Sequence, residues 1–451
     1  MAQETLEDKL QKAGGAVRML RASASGAYPF PIPAEYTNWR DEQAAWRQTA
    51  VLFDQSHHMT DVYFKGPDIR RLLSDTGVNG FTTFGRNKAK QFVAVGYDGH
   101  LIGDAILFGL EDDEFSLVGG PTVPNWVAFH AETGGYDVEV RRDERTVENL
   151  SGRQIYRYQL QGPNALKIVA QASGGSMPAI KFFNIGEFTI DGCPVRALNH
   201  TMTGIPGQEM TGLEMWGPAE HGPQVLRALL AAGEDHGLAR GGAIAYSTTA
   251  LESGWIGTPV PALYSGRSMK AYRQYLRADG YEATTSLVGS FDSAAIEDYY
   301  TTPWDLGYGR IINFDHDFIG RDALKELAGR PHRRKVWLRW NDDDVARVFA
   351  GSLFGGDRRA RYLSVPYAVY GTYQYDRVLA DDGVIGISNR TGYTVGIGHW
   401  SSLAMIDEAE AVDGREVTVI WGEPDGGAAK ANIERHVRTE VRATISTTPL
   451  A

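Results

Sequence analysis

The chain has 451 residues, of which 43% are hydrophobic and 22% charged, so its composition is that of an ordinary globular protein with room for two or three domains. Its net charge of −11 argues against nucleic acid or an anionic membrane surface as a partner, and no uncharged apolar stretch approaches the length of a membrane span. A single cysteine, Cys193, excludes a disulfide framework, a Cys-rich zinc site and an iron–sulfur cluster; with a polar start at residues 1–12 that lacks a signal-peptide pattern, it predicts a cytoplasmic protein.

The first 140 residues predict a unit of mixed helix and strand behind an irregular start. Residues 25–33 are proline-rich and irregular, and a helix is expected over residues 37–50 with Trp39 and Trp46 on its buried side. Alternating patterns predict strands at 61–65, 91–97, 100–110, 114–118 and 136–140, with helices at 67–76 and 123–131. Asp98-Gly99 is a hairpin turn. No Gly-rich phosphate turn follows these strands, so no nucleotide site is expected.

The rest of the chain predicts a second mixed region and then a region of strands. The mixed region has strands at 154–161, 187–190, 194–199 and 211–216, and helices after Gly162-Pro163 and at 219–233, 265–276 and 317–327. Residues 331–334 look like a linker. The strands beyond it are expected at 335–340, 384–389, 402–405, 416–421 and 437–445. Turn residues recur about every ten positions there, which predicts a C-terminal β-rich domain.

The central stretch, residues 241–255, carries the first candidate for chemistry. Its apolar residues follow one helical face, and Gly254 supplies a stop for the helix. Tyr246 then lies in the first turn, next to unpaired backbone N–H groups. A phenol with a pKa of about 10 is a poor general acid, but it matches a reaction whose leaving group is another phenolate. The chain has 21 tyrosines, so residue type alone favours a packing role for Tyr246.

Two single carboxylates and a histidine pair are further candidates. Asp104 and Glu214 each interrupt an apolar strand pattern. A buried carboxylate needs hydrogen-bond donors, and a fused pyrimidine ring with adjacent N–H and NH2 groups provides them. The alternative for Asp104 is a surface-facing position in its strand. His57 and His58 are adjacent and point to different sides of an extended chain, which favours the polar wall of a pocket over a zinc site.

Four motifs in this order resemble the folate-binding aminomethyltransferase family, which includes the T-protein of the glycine cleavage system. They are Tyr158-Gln159-Leu160-Gln161-Gly162-Pro163, Thr211-Gly212-Leu213-Glu214, Leu306-Gly307-Tyr308-Gly309 and Phe318-Ile319-Gly320-Arg321. Residues 386–404 extend the resemblance over nearly the whole chain. It implies an α+β fold, a three-domain cloverleaf with a C-terminal β-rich domain and with tetrahydrofolate in the central opening. The expected domains are a folate-binding domain of residues 1–59 and 141–250, a second α+β domain of residues 60–140 and 251–331, and a barrel-like domain of residues 332–451.

Within that family, further motifs resemble the tetrahydrofolate-dependent aryl O-demethylases that act on vanillate and syringate. They are Trp39-Arg40, Phe53-Asp54-Gln55-Ser56-His57-His58-Met59, Asn87-Lys88-Ala89-Lys90-Gln91, Thr133-Gly134-Gly135-Tyr136 and residues 251–256, 296–300 and 314–321. This resemblance implies methyl transfer from an aryl methyl ether to N5 of tetrahydrofolate, with a phenol and 5-methyltetrahydrofolate as products of aromatic catabolism. It implies small-molecule partners, no metal, and a monomer or homodimer. Syringate-like, vanillate-like and chlorinated methoxybenzoates all remain candidate substrates.

The same resemblance assigns roles by position. Tyr246 takes the catalytic position as general acid for the aryl oxygen, and Asp104 lies near the folate amine and keeps it oriented. The cofactor-binding residues are Glu214, Gln161, Gln159, Trp255 and Tyr393. The substrate-binding positions are His57, His58, Tyr28, Phe30 and Gly120.

Two positions depart from the vanillate-type pattern. Those members carry an arginine, which would bind a substrate carboxylate bidentately, where this chain has Gly120. Carboxylate recognition is therefore either absent or moved to His57, His58 or another cation. Phe30 stands where a tyrosine is common. We interpret both differences as a pocket adapted to a different methoxyarene.

Alternative functions within and outside the family stay open at this point. A glycine-cleavage aminomethyltransferase shares the folate site, but the resemblance puts an Arg-Asp pair where this chain has Tyr246-Ser247. The family's non-enzymatic folate-binding iron–sulfur assembly factors carry a cysteine motif, of which only Gly207-Gln208-Glu209 is present here. Oxidative demethylation by a Rieske-type centre needs two cysteines, and a corrinoid system would normally need a partner protein.

Overall fold

A computed structural model describes residues 3–202, 212–381, 383–428 and 430–451. The Gly207-Gln208-Glu209 motif and Thr211 lie outside the described residues. The α-helices, numbered in chain order, are α1 (Leu6–Ala13), α2 (Ala16–Ala22), α3 (Trp39–Gln48), α4 (Ile69–Thr76), α5 (Thr122–Thr133), α6 (Ala165–Ala172), α7 (Gly222–Gly233), α8 (Ala243–Ser253), α9 (Lys270–Tyr275), α10 (Tyr281–Thr284), α11 (Arg321–Ala328) and α12 (Asp342–Phe354).

The strands of the described residues are numbered in the same way. They are β1 (Ala50–Asp54), β2 (Thr60–Lys65), β3 (Ala89–Val95), β4 (Leu101–Gly109), β5 (Glu114–Gly119), β6 (Glu139–Asp143), β7 (Ile155–Gln161), β8 (Ile185–Ile190), β9 (Cys193–Asn199), β10 (Gly212–Pro218), β11 (Leu238–Gly241), β12 (Leu287–Val288), β13 (Arg333–Trp340), β14 (Tyr373–Gln374), β15 (Asp376–Ala380), β16 (Gly383–Tyr393), β17 (Trp400–Asp407), β18 (Glu416–Trp421) and β19 (Thr439–Ser446).

The first sheet brings the predicted folate-binding side chains to one face. Its strand order is β11-β1-β7-β10-β9-β8. Among these strands of the described residues, β1 and β11 pair in parallel and the other neighbours pair antiparallel. Glu214 on β10 lies opposite Gln159 on β7, and Gly212 lies opposite Gln161. Residues that face each other across a ladder share a side of the sheet, as do residues two apart on one strand. Glu214, Gln159 and Gln161 therefore project from the same face, while the opposite face packs on α6 and α7.

The second sheet and the barrel complete the mixed architecture. The second sheet is antiparallel with the order β3-β4-β5-β2-β6, and it carries Asp104 on β4. The C-terminal strands close into a six-stranded barrel in the order β13-β17-β16-β15-β18-β19. An α+β fold with a C-terminal β domain is thus confirmed. No helix within the described ranges combines the length and the apolar character that a membrane crossing requires.

Several predicted elements are wrong in extent or kind. The helix expected over 37–50 is the shorter α3, because its last predicted residue, Ala50, begins β1. Trp46 is fully buried, whereas Trp39 is only partly so. The helix expected over 265–276 is reduced to α9, and the linker expected at 331–334 already contains the start of β13. Helices α1, α2 and α12 have no counterpart in the predicted elements.

Helix α8, which carries Tyr246, is held between α3 and the barrel. The Gln43 side-chain amide of α3 donates to Thr248 Oγ1 at 2.9 Å and to the Tyr393 carbonyl at 3.2 Å. On the barrel side, Trp337 Nε1–H donates to the Leu251 carbonyl at 2.8 Å. These bonds fix the helix along its length, so the hydroxyl of Tyr246 has a defined position.

The C-terminal end of α8 supplies a test of this docking. Gly254 ends the helix with φ +72°, and a Cβ there would lie 2.4 Å from Cζ2 of Trp337. We expect Gly254→Ala to lower the free energy of unfolding by about 2–4 kcal/mol, since left-handed strain and overpacking add. Gly266 is the matched control, because it has φ +74° and open space around the added atom. Gly266→Ala should lose only about 1–2 kcal/mol in chemical denaturation; equal losses would show that the Trp337 contact does not matter.

Candidate active site

The hydroxyl of Tyr246 is the centre of a buried polar cluster. Its side chain is 8% exposed, and the hydroxyl oxygen lies 2.8 Å from His58 Nε2 and 3.4 Å from Gln55 Nε2. His58 Nδ1 and Gln55 Oε1 are buried and have no partner within the described ranges. The cluster thus keeps two polar atoms for a ligand.

Burial controls the charge of this cluster. It raises the pKa of Tyr246 well above the ordinary phenol value, with a smaller contribution from the charge of Glu214. Burial also lowers the pKa of His58 to about 3. Tyr246 therefore keeps its proton and His58 stays neutral throughout the physiological pH range.

Aromatic rings enclose the Tyr246 hydroxyl. The ring of Phe30 packs edge to face against Tyr246, His58 and Tyr28, with centroid distances of 5.2, 4.9 and 5.3 Å. The Tyr28 hydroxyl donates to the backbone carbonyl of His57 at 3.0 Å. Four of the predicted pocket residues, Tyr28, Phe30, His58 and Tyr246, are therefore brought together in one apolar wall.

The two adjacent histidines do face different neighbours. His57 Nδ1 lies 2.9 Å from Thr146 Oγ1, and its Nε2 lies 3.6 Å from a carboxylate oxygen of Asp54. His58, in contrast, faces Tyr246. The structure gives His57 no contact with the Tyr246 hydroxyl, so its side chain stands outside this cluster. No group of three or more His, Cys, Asp or Glu residues in the described parts of the chain could hold a metal ion.

Asp104 forms a second buried polar site with Trp255. Trp255 Nε1–H donates to Asp104 Oδ2 at 3.0 Å, the Tyr308 hydroxyl donates to the same oxygen at 3.2 Å, and the Gln91 amide also donates to it. The other oxygen, Oδ1, is buried and lacks a partner in the described parts of the chain. Burial raises the pKa of Asp104 to about 6, although these donors and Lys335 oppose the shift. Asp104 does not contact Tyr246, so the structure divides the two predicted catalytic residues between two sites.

Glu214 lies in a network of buried charges. Arg157 donates to both Glu214 and Asp61, and His200 Nε2 contacts the second oxygen of Glu214. Burial alone would raise the pKa of Glu214, but Arg157 and His200 outweigh it and lower the pKa to about 2. The carboxylate is therefore ionised and already ion-paired.

The two glutamines beside Glu214 retain free hydrogen-bonding groups. Gln159 Nε2 donates to the His200 carbonyl at 3.1 Å, and Gln161 Oε1 accepts from the Met202 backbone N–H at 3.1 Å. Their other polar atoms, Gln159 Oε1 and Gln161 Nε2, are buried without a partner among the residues that the structure describes. One acceptor and one donor on the Glu214 face fit a ring that presents both kinds of group, such as a pterin.

The two remaining predicted positions lie apart from the cluster. Gly120 is exposed just after β5, and a Cβ there would meet no atom within 4 Å. Tyr393 lies at the end of β16, where its ring packs on Trp39 at 5.9 Å and beside Arg40. Within the described ranges neither residue has a hydrogen bond or ring contact with Tyr246.

Two polar residues of this region, Gln55 and Arg390, were not predicted from the sequence. Gln55 belongs to the motif of residues 53–59, in which only the two histidines were assigned a role. Arg390 lies in the segment 386–404, which contributed only to the family resemblance and to the position of Tyr393. The positive charge of Arg390 acts on the hydroxyls of both Tyr246 and Tyr281. Only the strand register and the packing assign these residues to the site.

Comparisons with known proteins identify the family and the fold. The profile of the GCVT N-terminal domain family matches residues 15–258. A syringate O-demethylase of Sphingobium sp. strain SYK-6 is 44% identical over 448 residues, which is 99% of this chain and 96% of that protein. A sesamin methylene transferase of Sinomonas sp. strain No.22 is 29% identical over 424 residues, covering 89% and 88%. The glycine cleavage system aminomethyltransferase T of Bartonella henselae superposes with a TM-score of 0.61 at 18% identity, covering 95% of each chain, which supports the same fold.

The raised pKa of Asp104 predicts how the free energy of unfolding depends on pH. Its folded-state pKa of about 6 exceeds the ordinary 3.8, so the folded protein binds more protons between these values and loses stability as the pH rises through them. We expect the free energy of unfolding of Asp104→Asn, relative to the unchanged protein, to increase from pH 4 to pH 6 by about 3 kcal/mol at most and then stay constant. Asp376, with a pKa also near 6, is present in both proteins and cancels. Chemical denaturation across this range checks the result; a pH-independent difference would contradict an elevated Asp104 pKa.

Proposed function

Since this chain belongs to the GCVT family, we propose that it is a tetrahydrofolate-dependent O-demethylase that transfers the methyl group of an aryl methyl ether to N5 of tetrahydrofolate. The observation that carries the proposal is the buried hydroxyl of Tyr246, enclosed by aromatic rings and approached by two nitrogen-bearing side chains. The match of nearly the full length to a syringate O-demethylase supports a methoxybenzoate-type substrate.

Tyr246 is the general acid of the proposed reaction. An aryl methyl ether is inert chiefly because a phenolate is a poor leaving group. The N5 lone pair would form the new bond to the methyl carbon as the methyl–oxygen bond breaks, and the electron pair of the broken bond stays on the aryl oxygen, which takes the Tyr246 proton and becomes a phenol. The proton released from N5 restores the tyrosine. Both phenols are in the same apolar surroundings, so burial raises the pKa of each and their acidities stay matched. General acid catalysis of this kind contributes about 10²–10⁴-fold in rate.

His58 and Gln55 orient the proton of Tyr246. Neutral His58 carries one ring N–H, and we assign it to Nε2, so that it donates to the Tyr246 oxygen. Gln55 Nε2–H donates to the same oxygen. With both side chains donating, the Tyr246 O–H is left to donate; its acceptor in this structure is Met202 Sδ at 3.7 Å, a weak contact that the aryl oxygen would replace. The two N–H groups stabilise the tyrosinate after the proton has left.

The folate site is proposed on the face of the first sheet and beside Asp104. When bound, tetrahydrofolate supplies N5 as the methyl acceptor. Gln159 would bind the pterin with its free acceptor, Oε1, and Gln161 with its free donor, Nε2. Ionised Glu214 fixes the side chains of Arg157 and His200 beside them. The free oxygen of Asp104 would accept from a folate amine, and the partly exposed ring of Trp255 offers an apolar surface beside it. Tyr393 is proposed at the outer end of this site.

The surroundings of Tyr246 exclude water from the reacting atoms. Phe30 and Phe53 pack against the Tyr246 ring, Tyr28 packs behind Phe30, and the hydroxyl edge is proposed to face a flat, apolar substrate. Holding donor and acceptor in line supplies, at best, about 7–11 kcal/mol of the barrier. A dry site also strengthens the hydrogen bond from Tyr246.

Removal of one hydroxyl tests the proposed acid. We expect Tyr246→Phe to lower the rate of demethylation by at least about 100-fold, because it removes the proton and keeps the ring. Tetrahydrofolate binding should remain within about twofold, since none of the proposed folate contacts is lost. The assay follows 5-methyltetrahydrofolate formed from methoxybenzoates without oxygen, with binding measured by calorimetry.

The control for this variant is Tyr156→Phe. The Tyr156 hydroxyl is also buried, has no partner within the described ranges, and lies on the opposite, helix-packed face of the first sheet. Tyr156→Phe should leave the rate unchanged. Substantial activity of Tyr246→Phe would remove Tyr246 as the acid.

A further inference from the structure

Arg390 occupies a bulge in the barrel strand β16. Asn389 pairs with Leu403 of β17 and Thr391 pairs with the next residue, Ser402, so Arg390 is the extra residue between them. Its φ is +38°, which few residues other than glycine adopt. Bulges and left-handed residues of this kind occur beside functional sites, where they redirect a side chain. The strand therefore bears a local strain that points Arg390 out of the regular ladder.

The guanidinium of Arg390 is only partly satisfied. Its Nη1 donates to the Tyr367 hydroxyl at 2.9 Å, while its Nε is buried and unpartnered among the residues that the structure describes. In the same parts of the chain it forms no salt bridge with a carboxylate. Arg390 is partly buried, and two fully buried arginines differ from it, because Glu148 binds Arg145 through two bonds and Asp61 and Glu214 bind Arg157. A partly buried cation that lacks a carboxylate partner can gain from binding an anion.

Arg390 adjoins the site already described. Its guanidinium carbon lies 5.9 Å from the ring centroid of Trp255. Burial raises the pKa of Tyr246, and the charge of Arg390 partly opposes that shift, so the guanidinium is within electrostatic reach of the Tyr246 hydroxyl. It acts in the same sense on Tyr281, whose pKa burial raises to about 12. Arg390 therefore lies beside Trp255, on the strand β16 that packs against the helix carrying Tyr246.

We propose that Arg390 binds the carboxylate of the methoxybenzoate substrate and so determines the preference for the acid over a neutral methoxyarene. The inference rests on the proposed demethylase function and assigns the residue that recognises the acid. Gly120 offers no cation, and His58 is neutral against the Tyr246 hydroxyl. Arg390 is uncompensated by a carboxylate in the described ranges and has a free N–H, so it can form the charge-assisted bonds that a carboxylate requires.

The test compares two donors that differ only in the carboxylate. Kinetics with 3-methoxybenzoate-type acids and with the matching methoxyphenols are measured for the unchanged protein and for Arg390→Met. We expect the KM of the acids to rise about 10- to 100-fold, the range for a lost charge-assisted hydrogen bond, while the KM values of the phenols and of tetrahydrofolate change less than about twofold.

A second variant separates substrate binding from folding. Arg390→Gly removes the cation but suits the positive φ, so we expect it to be at least as stable to heat as the unchanged protein and to lose the same preference for the acid. Arg390→Lys retains a charge and should recover part of that preference.

The other outcomes would overturn the inference. An unchanged KM for the acids would remove Arg390 as the carboxylate receptor. An equal rise for acids and phenols would indicate a structural role, and a rise confined to tetrahydrofolate would assign Arg390 to a folate carboxylate. If the unchanged protein demethylates neither donor, the proposed function fails separately. Calorimetric binding of the acid to the unchanged protein and to Arg390→Met then still decides the role of Arg390.

Discussion

The docking of α8 between α3 and the barrel is the constraint on which the rest of the site depends. One side chain of α3, Gln43, bonds both the helix and a barrel carbonyl, and Trp337 of the barrel bonds the helix near its end. Since the helix cannot rotate without breaking these bonds, the Tyr246 hydroxyl stays opposite His58. A weak acid is effective only when its proton is already directed at the leaving oxygen, so the reaction depends on this rigidity more than on the acidity of the phenol.

Some charged side chains around the site are ion-paired and others are not. The ion-paired ones hold their neighbours in place, and the unpaired ones are available to a ligand. Glu214 and Arg157 form an ion pair, which keeps the glutamate ionised. The pair also fixes the positions of both side chains next to Gln159 and Gln161. Asp104 accepts from neutral donors and keeps a free oxygen, and burial raises its pKa although these donors and the charge of Lys335 oppose the shift. Arg390 is the corresponding cation, held by one tyrosine hydroxyl at a strained bulge. The free-energy cost of an unpaired charge or of a strained backbone is offset when a ligand binds to that charge.

Local patterns in the sequence identified much of the fold and part of the site. Regularly spaced turn residues placed β18 at residues 416–421, and Gly254 marked the end of α8. The strand β1 was not predicted, and its first residue, Ala50, was assigned to the preceding helix, because a continuous apolar run does not alternate. The separation of Asp104 from Tyr246, and the direction in which Arg390 points, depend on pairing register and packing between distant segments. The family resemblance supplied Tyr246, His58 and Phe30, which the structure brings together, but no local signal identified the bulge.

Labelling the methyl group tests whether it moves directly from the aryl ether to tetrahydrofolate. A methoxybenzoate with a trideuteriomethyl ether is mixed with the protein and tetrahydrofolate in the absence of oxygen, and the folate products and the phenol are quantified by mass spectrometry. Direct transfer gives 5-methyltetrahydrofolate that retains all three deuterium atoms, formed one for one with the phenol. Loss of deuterium, release of the carbon as formaldehyde, or no transfer while folate still binds would contradict direct methyl transfer at Tyr246.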